Sequence, residues 1–118
     1  MKFIIAYIQP ERTERILNAL GRCPIRGLSL SDVKGFGQEH DPAHPDYREY
    51  FGTEMTRKVR LEIACHDDEA DSILDAIYKA AHTGQRGDGK AFVLPLLDAL
   101  RLKTGERGAE ALGSSSDT

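Results

Sequence analysis

Two glycine-bearing segments carry the residue types best suited to binding an anion, Gly35-Phe36-Gly37 and Gly87-Asp88-Gly89-Lys90. Glycine allows backbone N–H groups to approach phosphate oxygens closely, and a neighbouring lysine supplies compensating charge. Neither segment matches a Walker A or a dinucleotide fingerprint, so a tight turn explains either one taken alone. If the two segments converge, however, they form a phosphate pocket with the cations nearby, which are Lys58, Lys90, Arg101 and Lys103.

A second candidate for chemistry is the long stretch from Lys34 to Lys58, which contains two histidines. Connections of this length are usually either functional or disordered. His40 and His44, with aspartates beside them, could bind a transition metal. Two prolines disfavour the helix that would align these side chains, and no fourth ligand is apparent. A solvated loop is therefore the simpler interpretation, and we predict no metal site, with His40 and His44 as weak candidates only.

No catalytic arrangement is evident in the sequence. Ser-His-Asp and Cys-His combinations occur without any local motif that would place them together. Cys23 and Cys65 have no CxxC partner, which favours two packing thiols over a disulfide framework or a structural zinc site. We therefore expect a protein that is not an enzyme.

The composition of the 118-residue chain is typical of one soluble globular domain, with 40% hydrophobic and 30% charged residues. A formal net charge of -3 provides no basic field for nucleic acid, which we exclude as a partner. No segment approaches the roughly 20 apolar residues that span a bilayer, and no cleavage-site pattern follows Met1. We expect a cytoplasmic protein that is not itself embedded in a membrane.

The spacing of apolar side chains predicts the elements that must position these residues. Short apolar or alternating runs indicate strands, and apolar residues at i, i+3, i+4 and i+7 indicate two helices. Pro10 fits the first turn of the first helix, and Asp67 or Asp68 can cap the second. The predicted order is the strand Lys2–Ile8, a helix over about Pro10–Leu20, the strand Gly27–Val33, the strand Lys58–Cys65, a helix from about Asp67 to His82, the strand Ala91–Leu94 and a short strand Leu100–Lys103.

This order predicts an α+β protein, a ferredoxin-like βαββαβ sandwich with a long loop between strands 2 and 3. Two helices can cover only one face of the sheet, so the apolar residues that Lys2–Ile8 presents on the other face need a second cover. Symmetric self-association is the commonest solution, and we predict a homo-oligomer. The domain should span residues 1–107, and residues 108–118 should form a disordered tail. Alternation assigns one face of the third strand to the core, namely Val59, Leu61, Ile63 and Cys65.

Four stretches make the chain resemble the PII signal-transduction family of small trimeric regulators over about residues 1–107. They are VKGFG at Val33–Gly37, KVRLEI at Lys58–Ile63, TGQRGDGKAFV at Thr83–Val93 and RLKTGE at Arg101–Glu106. The resemblance implies a homotrimer with adenine-nucleotide sites between its subunits. It also implies that residues 37–57 form the mobile T-loop, which docks into target proteins.

Carried over position by position, the resemblance implies a nucleotide site in two halves. ATP, ADP or AMP would be the effector, and no magnesium ligand is assigned. In one subunit the half-site would consist of Gly35, Phe36, Gly37, Gln38, Lys58, Gly87, Asp88, Gly89 and Lys90, with the last four around the phosphates. The neighbouring subunit would supply Gly27, Ser29, Glu62, Ala64, Arg101 and Lys103, with Glu62 and Ala64 beside the adenine and the two cations on phosphate.

The chain departs from the family pattern at positions that change its expected chemistry. Glu39 stands where nitrogen-sensing members have a glutamine that helps to hold magnesium and 2-oxoglutarate, and a carboxylate there repels that ligand by on the order of 1 kcal/mol. Phe51 stands where many members carry a tyrosine for nucleotidyl modification, and it has no hydroxyl group. Lys103 replaces an arginine and loses the bidentate fork. These differences indicate a divergent member without 2-oxoglutarate sensing or that modification.

The sequence therefore predicts a PII-like regulatory protein that binds adenine nucleotides and acts on a partner through its T-loop. The resemblance implies that the partner is a membrane transporter or a metabolic enzyme. An alternative is a regulatory trimer for a metal or a small anion such as bicarbonate, held by His40 and His44. Slow ATP hydrolysis at the same cleft is a third possibility that we set aside, because no residue is placed as a base for water.

Overall fold

Four antiparallel β-strands form one sheet with the order β2-β3-β1-β4 in the computed structural model, which describes residues 1–36 and 55–113. The strands are β1 (Lys2–Ile8), β2 (Ser29–Phe36), β3 (Met55–Cys65) and β4 (Gly89–Pro95). Helix α1 (Thr13–Leu20) connects β1 to β2, helix α2 (Ala70–Ala81) connects β3 to β4, and a short helix α3 (Ala109–Leu112) follows. This strand order and connectivity confirm the predicted ferredoxin-like α+β fold.

The core forms between the sheet and the two long helices because each element presents one apolar face to the other. In β3 the core face Val59, Leu61, Ile63 and Cys65 is buried, as the alternation predicted, and in β1 Ile4, Ala6 and Ile8 are buried. No helix within residues 1–36 and 55–113 combines the length and the apolar content needed to cross a membrane. The largest buried side chains belong to Ile4 and Ile8 of β1, Leu61, Ile63 and Cys65 of β3, Ile16 and Leu20 of α1, and Ile73 of α2.

The opposite face of the sheet carries an apolar strip formed by Phe3 and Ile5 of β1 with Phe92 and Leu94 of β4. The register places Phe92 opposite Ile5 and Leu94 opposite Phe3, so these four side chains lie on one face. Both long helices pack on the other face. In a single protomer Phe92 is therefore 49% exposed and Leu94 is 41% exposed.

The predicted short strand Leu100–Lys103 is wrong. Leu100 forms only an isolated bridge with Arg107, and the chain turns back between them. Gly105 has a φ of 80° and donates a backbone hydrogen bond of 2.7 Å to the carbonyl of Arg101. Apolar and basic residues alternate here, but the conformation that glycine permits closes a turn instead of extending the chain.

Several bounds differ in detail from the sequence analysis. β2 is Ser29–Phe36 where Gly27–Val33 was predicted, β4 is Gly89–Pro95 where Ala91–Leu94 was predicted, and α1 begins at Thr13 after a 3-10 turn over Pro10–Arg12. β3 begins at Met55, so the last three residues of the predicted T-loop, residues 55–57, lie in a strand. Helix α3 lies within residues 108–118, for which we expected a disordered tail. Residues 37–54 and 114–118 lie outside the described part of the chain, and the predictions for them stay predictions.

Candidate functional site

The described residues from the first half of the predicted site lie at one end of the sheet, where β1 and β2 finish and β3 and β4 begin. We call this end of the sheet the edge at Lys58. The register places Val33 of β2 opposite Lys58 of β3 and Tyr7 of β1 opposite Lys90 of β4. Because β1 and β3 pair directly, with Ile8 opposite Val59, these positions lie at the same end of the sheet. The end of β2, the residue Lys58 and the start of β4 therefore lie at this one end of the sheet, with β3 and β1 between β2 and β4.

Lys58 is the buried charge at this edge. The residue is 9% exposed, and its ammonium nitrogen Nζ donates a hydrogen bond of 2.6 Å to the carbonyl oxygen of Gly87. A buried ammonium group needs such partners because loss of hydration disfavours the charge. Lys58 therefore connects β3 to the loop that precedes β4. The alternation of β3 assigned this lysine to a polar face, and its burial depends on a loop that the alternation does not describe.

The loop Thr83–Asp88 is closed by its own carboxylate. Asp88 accepts hydrogen bonds from the backbone N–H groups of Thr83 at 2.8 Å and Gly84 at 3.0 Å, and another from the Thr83 hydroxyl. Burial raises the pKa of this carboxyl group, but the hydrogen bonds outweigh burial and leave the pKa of Asp88 below its ordinary value. The carboxylate of Asp88 thus shapes the loop, and the place of this residue around the phosphates stays a prediction.

Two glycines of this segment adopt conformations that other residues rarely take. Gly87 has a φ of 94° and Gly89 a φ of 105°. A Cβ atom added at Gly89 would lie 1.9 Å from the carbonyl oxygen of Tyr7, so β1 and β4 approach this closely only because Gly89 has no side chain. The glycine pattern thus has a structural reason at both positions.

The face of the sheet beside this edge carries Tyr7 and Arg60, for which the sequence analysis assigned no role. The rings of Tyr7 and Phe92 meet edge to face with centroids 6.4 Å apart. The guanidinium carbon of Arg60 lies 5.8 Å from the centroid of Tyr7, and Arg60 Nε lies 3.6 Å from Glu62 Oε1. The period-two alternation of β1 is the signal that could have placed Tyr7 on this face.

The residues assigned to the second half of the site lie further along the sheet. Glu62 is four positions from Lys58 in β3, which corresponds to roughly 13 Å along a strand. Ser29 of β2 stands opposite Glu62, and Ala64 stands opposite Phe3 of β1. Gly27 lies two positions before the start of β2. Within one protomer, these positions therefore lie away from the edge at Lys58.

The two C-terminal cations of the second half follow the far end of the sheet. β4 starts beside Lys58 and runs to Pro95, which stands opposite Lys2, so the chain that contains Arg101 and Lys103 continues from the opposite end. Arg101 Nε donates a hydrogen bond of 3.3 Å to the carbonyl of Ala111, and Lys103 is exposed. The structure does not join the two halves of the predicted site within one protomer.

Several predicted residues cannot be placed in this geometry. Gly35 and Phe36 are the last two residues of β2, whereas Gly37 and Gln38 lie outside the described residues. The weak metal candidates His40 and His44 also lie outside them, as do Glu39 and Phe51. Within residues 1–36 and 55–113, no group of three or more histidine, cysteine or acidic side chains is arranged to hold a metal ion.

The sequence is similar to those of known nitrogen regulatory proteins. Residues 1–106 match the model of the family described as "Nitrogen regulatory protein P-II". The chain is 37% identical over 112 residues to the nitrogen regulatory protein GlnK of Escherichia coli K12, covering 95% of this chain and 100% of GlnK. It is 38% identical over 113 residues to a P-II homolog of Arabidopsis thaliana, covering 95% of this chain and 58% of the length of that relative.

The fold is also similar to that of a solved structure. Superposition on the crystal structure of Arabidopsis thaliana PII bound to citrate has a TM-score of 0.76. The two sequences are 36% identical, and the match covers 93% of this chain and 90% of that chain. The resemblance noted in the sequence therefore extends to the fold of most of the chain.

Proposed function

The chain belongs to the nitrogen regulatory protein P-II family, and we propose that it binds adenine nucleotides in clefts between the subunits of a homotrimer. Membership of this family makes the chain a regulatory signalling protein and not an enzyme. ATP, ADP or AMP would be the signal. The T-loop, residues 37–57, would pass that signal to a partner protein.

The observation that carries the nucleotide proposal is the buried contact between Lys58 and Gly87. An ammonium group beside a glycine-containing loop places a positive charge next to backbone that carries no side chain, which is the combination that binds phosphate. Lys90, opposite Tyr7 in the register, adds an exposed second cation at the same edge. A phosphate oxygen is a stronger acceptor than a carbonyl oxygen, so we expect Lys58 to exchange Gly87 for the ligand.

Two features of the protomer support the trimer. The apolar strip that includes Phe92 and Leu94 is open in one protomer, and burying it is favourable at about 25 cal/mol per Å² of apolar surface. Glu62 and Arg101 also lie away from Lys58, so a complete nucleotide site requires residues from a second protomer. Symmetric association would cover the strip and join the two half-sites in one step.

Nucleotide state would reach the partner through β2 and β3, whose ends carry the T-loop. A ligand that contacts Gly35 and Lys58 in only one arrangement of the loop shifts the population toward that arrangement. We propose a membrane transporter or a metabolic enzyme as the partner. This is the class of target that the family resemblance implied for a T-loop between Gly37 and Arg57.

Isothermal titration with ATP, ADP and AMP tests the nucleotide proposal, and we expect at least one of them to bind at sub-millimolar concentration. Lys58→Met removes the ammonium group but keeps a similar length, and it should weaken binding by about tenfold or more, because hydrogen bonds to charged groups contribute about 1.5–3 kcal/mol. Lys79→Met is the matched control. Lys79 pairs with Asp75 on α2 at 2.9 Å, away from the edge at Lys58, so this variant should bind like the wild type.

Two outcomes would contradict the proposal. The first is the absence of heat for all three nucleotides up to millimolar concentration with folded wild-type protein. The second is equal affinity of the Lys58→Met and Lys79→Met variants, which would mean that the ligand does not use this edge of the sheet. Thermal unfolding of each variant must first establish that it is folded.

A further inference from the structure

The segment Gly108–Gly113, which we call the strap, presents its last carbonyl groups to two arginines. The carbonyl oxygen of Gly113 accepts a hydrogen bond of 2.6 Å from Arg26 Nε. The carbonyl oxygen of Ala111 accepts one of 3.3 Å from Arg101 Nε. These carbonyls lie at the C-terminal end of α3, where backbone acceptors have no partner within the helix. The two arginines therefore satisfy the end of the strap.

Arg26 is held in position by an acidic partner from another element. Arg26 Nη1 lies 2.6 Å from Glu69 Oε1, and the side chains of the two residues are only 12% and 11% exposed. The same Glu69 oxygen accepts a hydrogen bond of 3.0 Å from the backbone N–H of His66. The hydrogen bond between Arg26 and Glu69 raises the pKa of Arg26 and lowers the pKa of Glu69. We call Arg26, Glu69 and His66 the anchor of the strap.

The third member of the anchor also reaches the strap. His66 Nε2 lies 3.3 Å from the carbonyl oxygen of Gly113, so two side chains converge on one backbone oxygen. At the other end, the N–H of Gly108 donates to the carbonyl of Ala99 at 3.0 Å and to Asp98 Oδ1 at 3.0 Å. The strap is thus fixed at both ends, at Gly113 by residues distant in sequence and at Gly108 by the nearby Asp98 and Ala99.

This arrangement engages a residue that the proposed function requires for another purpose. Arg101 is one of the two cations assigned to the nucleotide phosphates, yet its Nε donates to Ala111 and lies 3.9 Å from Glu106 Oε1. An N–H group that donates to a strap carbonyl cannot donate the same bond to a phosphate. Gly27, which belongs to the same predicted half-site, directly follows the anchor residue Arg26. The strap therefore lies at the second half-site.

We propose that the strap competes with the nucleotide phosphates for Arg101, and that the Arg26 anchor sets how strongly it competes. This inference rests on the proposed nucleotide site. With the strap closed, the Nε–H of Arg101 is taken by Ala111, so only its Nη groups remain for phosphate and the bidentate Nε–Nη fork is lost. When the strap opens, Arg101 is released to the phosphates. The apparent affinity for the nucleotide is the intrinsic affinity multiplied by the fraction of protein whose strap is open. Contacts that hold the strap closed therefore weaken binding.

The full-length protein can test this competition by titration calorimetry with Mg-ATP. Arg26→Gln loses the bond to Gly113 and the pair with Glu69, and we expect it to bind ATP roughly five- to tenfold more tightly than the wild type. Arg15→Gln, on the exposed surface of α1, is the matched control and should bind ATP with unchanged affinity. If Arg26 contacted the phosphates directly, its removal would weaken ATP binding. Tighter binding by Arg26→Gln therefore distinguishes the competition from such a contact.

Hydrogen exchange supplies a second readout that does not depend on affinity. The backbone N–H of Ala111 donates to Gly108 at 3.0 Å, and that of Gly113 donates to Glu110 at 3.1 Å. In wild-type protein with saturating ATP, both amides should exchange faster than in the free protein, because the nucleotide favours the open strap.

The outcomes separate this inference from the proposed function. If the wild type binds ATP but folded Arg26→Gln binds it equally or more weakly, or if ATP leaves strap exchange unchanged, the strap proposal is overturned and nucleotide binding stands. If the wild type binds ADP or AMP but not ATP, the same comparison is made with the nucleotide that binds; if neither protein binds any of the three, both proposals are overturned. Should Arg26→Gln fail to fold, Glu69→Gln keeps the arginine and loosens only its pair; it should tighten ATP binding by a smaller factor, and unchanged affinity would overturn the inference.

Discussion

Gly89 illustrates how one residue type sets the geometry of the candidate site. Its φ of 105° and its approach to the carbonyl of Tyr7 each exclude a side chain. Lys58 is the complementary case, because its charge is buried and satisfied by a loop carbonyl. A side chain at Gly89 would displace β4 from β1, and Lys90 at the start of β4 would move with it.

Gly89→Ala should lower the free energy of unfolding by about 2–5 kcal/mol, the sum of left-handed backbone strain and a steric displacement. Gly105→Ala is a matched control, because Gly105 has a φ of 80° but a Cβ there meets nothing within 4 Å. It should cost only the strain, about 1–2 kcal/mol. Urea unfolding of both variants measures the difference, and equal losses would contradict the close approach to Tyr7.

At the scale of elements, the loop Thr83–Asp88 determines where the glycine-bearing backbone lies. Its conformation depends on one carboxylate that accepts three hydrogen bonds. Because the pKa of Asp88 in the fold is lower than its ordinary value of 3.8, the ionised group stabilises the fold. That contribution is complete above the unfolded pKa of about 4 and is lost as pH falls through the lowered pKa.

Asp88→Asn should therefore reduce the melting temperature at pH 6, and the difference from wild type should shrink as pH is lowered below about 4. Asp32→Asn, at an exposed position of β2, is the control and should change the melting temperature little at any pH. Thermal unfolding followed by circular dichroism between pH 6 and pH 2 measures both. A difference for Asp88→Asn that stays constant across this range would contradict the assigned ionised state.

At the scale of the whole molecule, the two half-sites and the open apolar strip point to the same assembly. The strip contains Phe92 and Leu94, and Glu62 and Ala64 of the second half-site lie on the same sheet at a distance from Lys58. A single interface that covers the strip would also bring the half-sites of different subunits together. Assembly and nucleotide binding should therefore be lost together.

Phe92→Glu should convert the proposed trimer to monomers, because a carboxylate in an apolar interface loses its hydration without gaining a partner. The same variant should lose measurable ATP binding, since each cleft needs two subunits. Asn18→Glu adds the same charge on the exposed surface of α1 and should remain a trimer. Sedimentation equilibrium measures the mass, and a trimeric Phe92→Glu protein would count against the strip as an interface.

Local patterns were sufficient for most of the fold. β1 has the predicted bounds Lys2–Ile8, and the apolar face of β3 is buried as predicted, because periodicity reports the environment of each element directly. The segment Leu100–Lys103 was wrong because its alternation resembles a strand while Gly105 closes a turn. The candidate edge was recognised from its glycines and lysines, but the contacts among them were not.

The sequence by itself therefore determined the order of elements, the core face of the sheet and the family, since each depends on residue types and on spacings of a few positions. Only the tertiary structure decided which charges are buried and paired. Lys58 meets Gly87 across 29 positions, Arg26 meets Glu69 across 43, and Arg26 meets Gly113 across 87. Such contacts depend on how separate elements pack against one another, and no local period in the sequence records that packing.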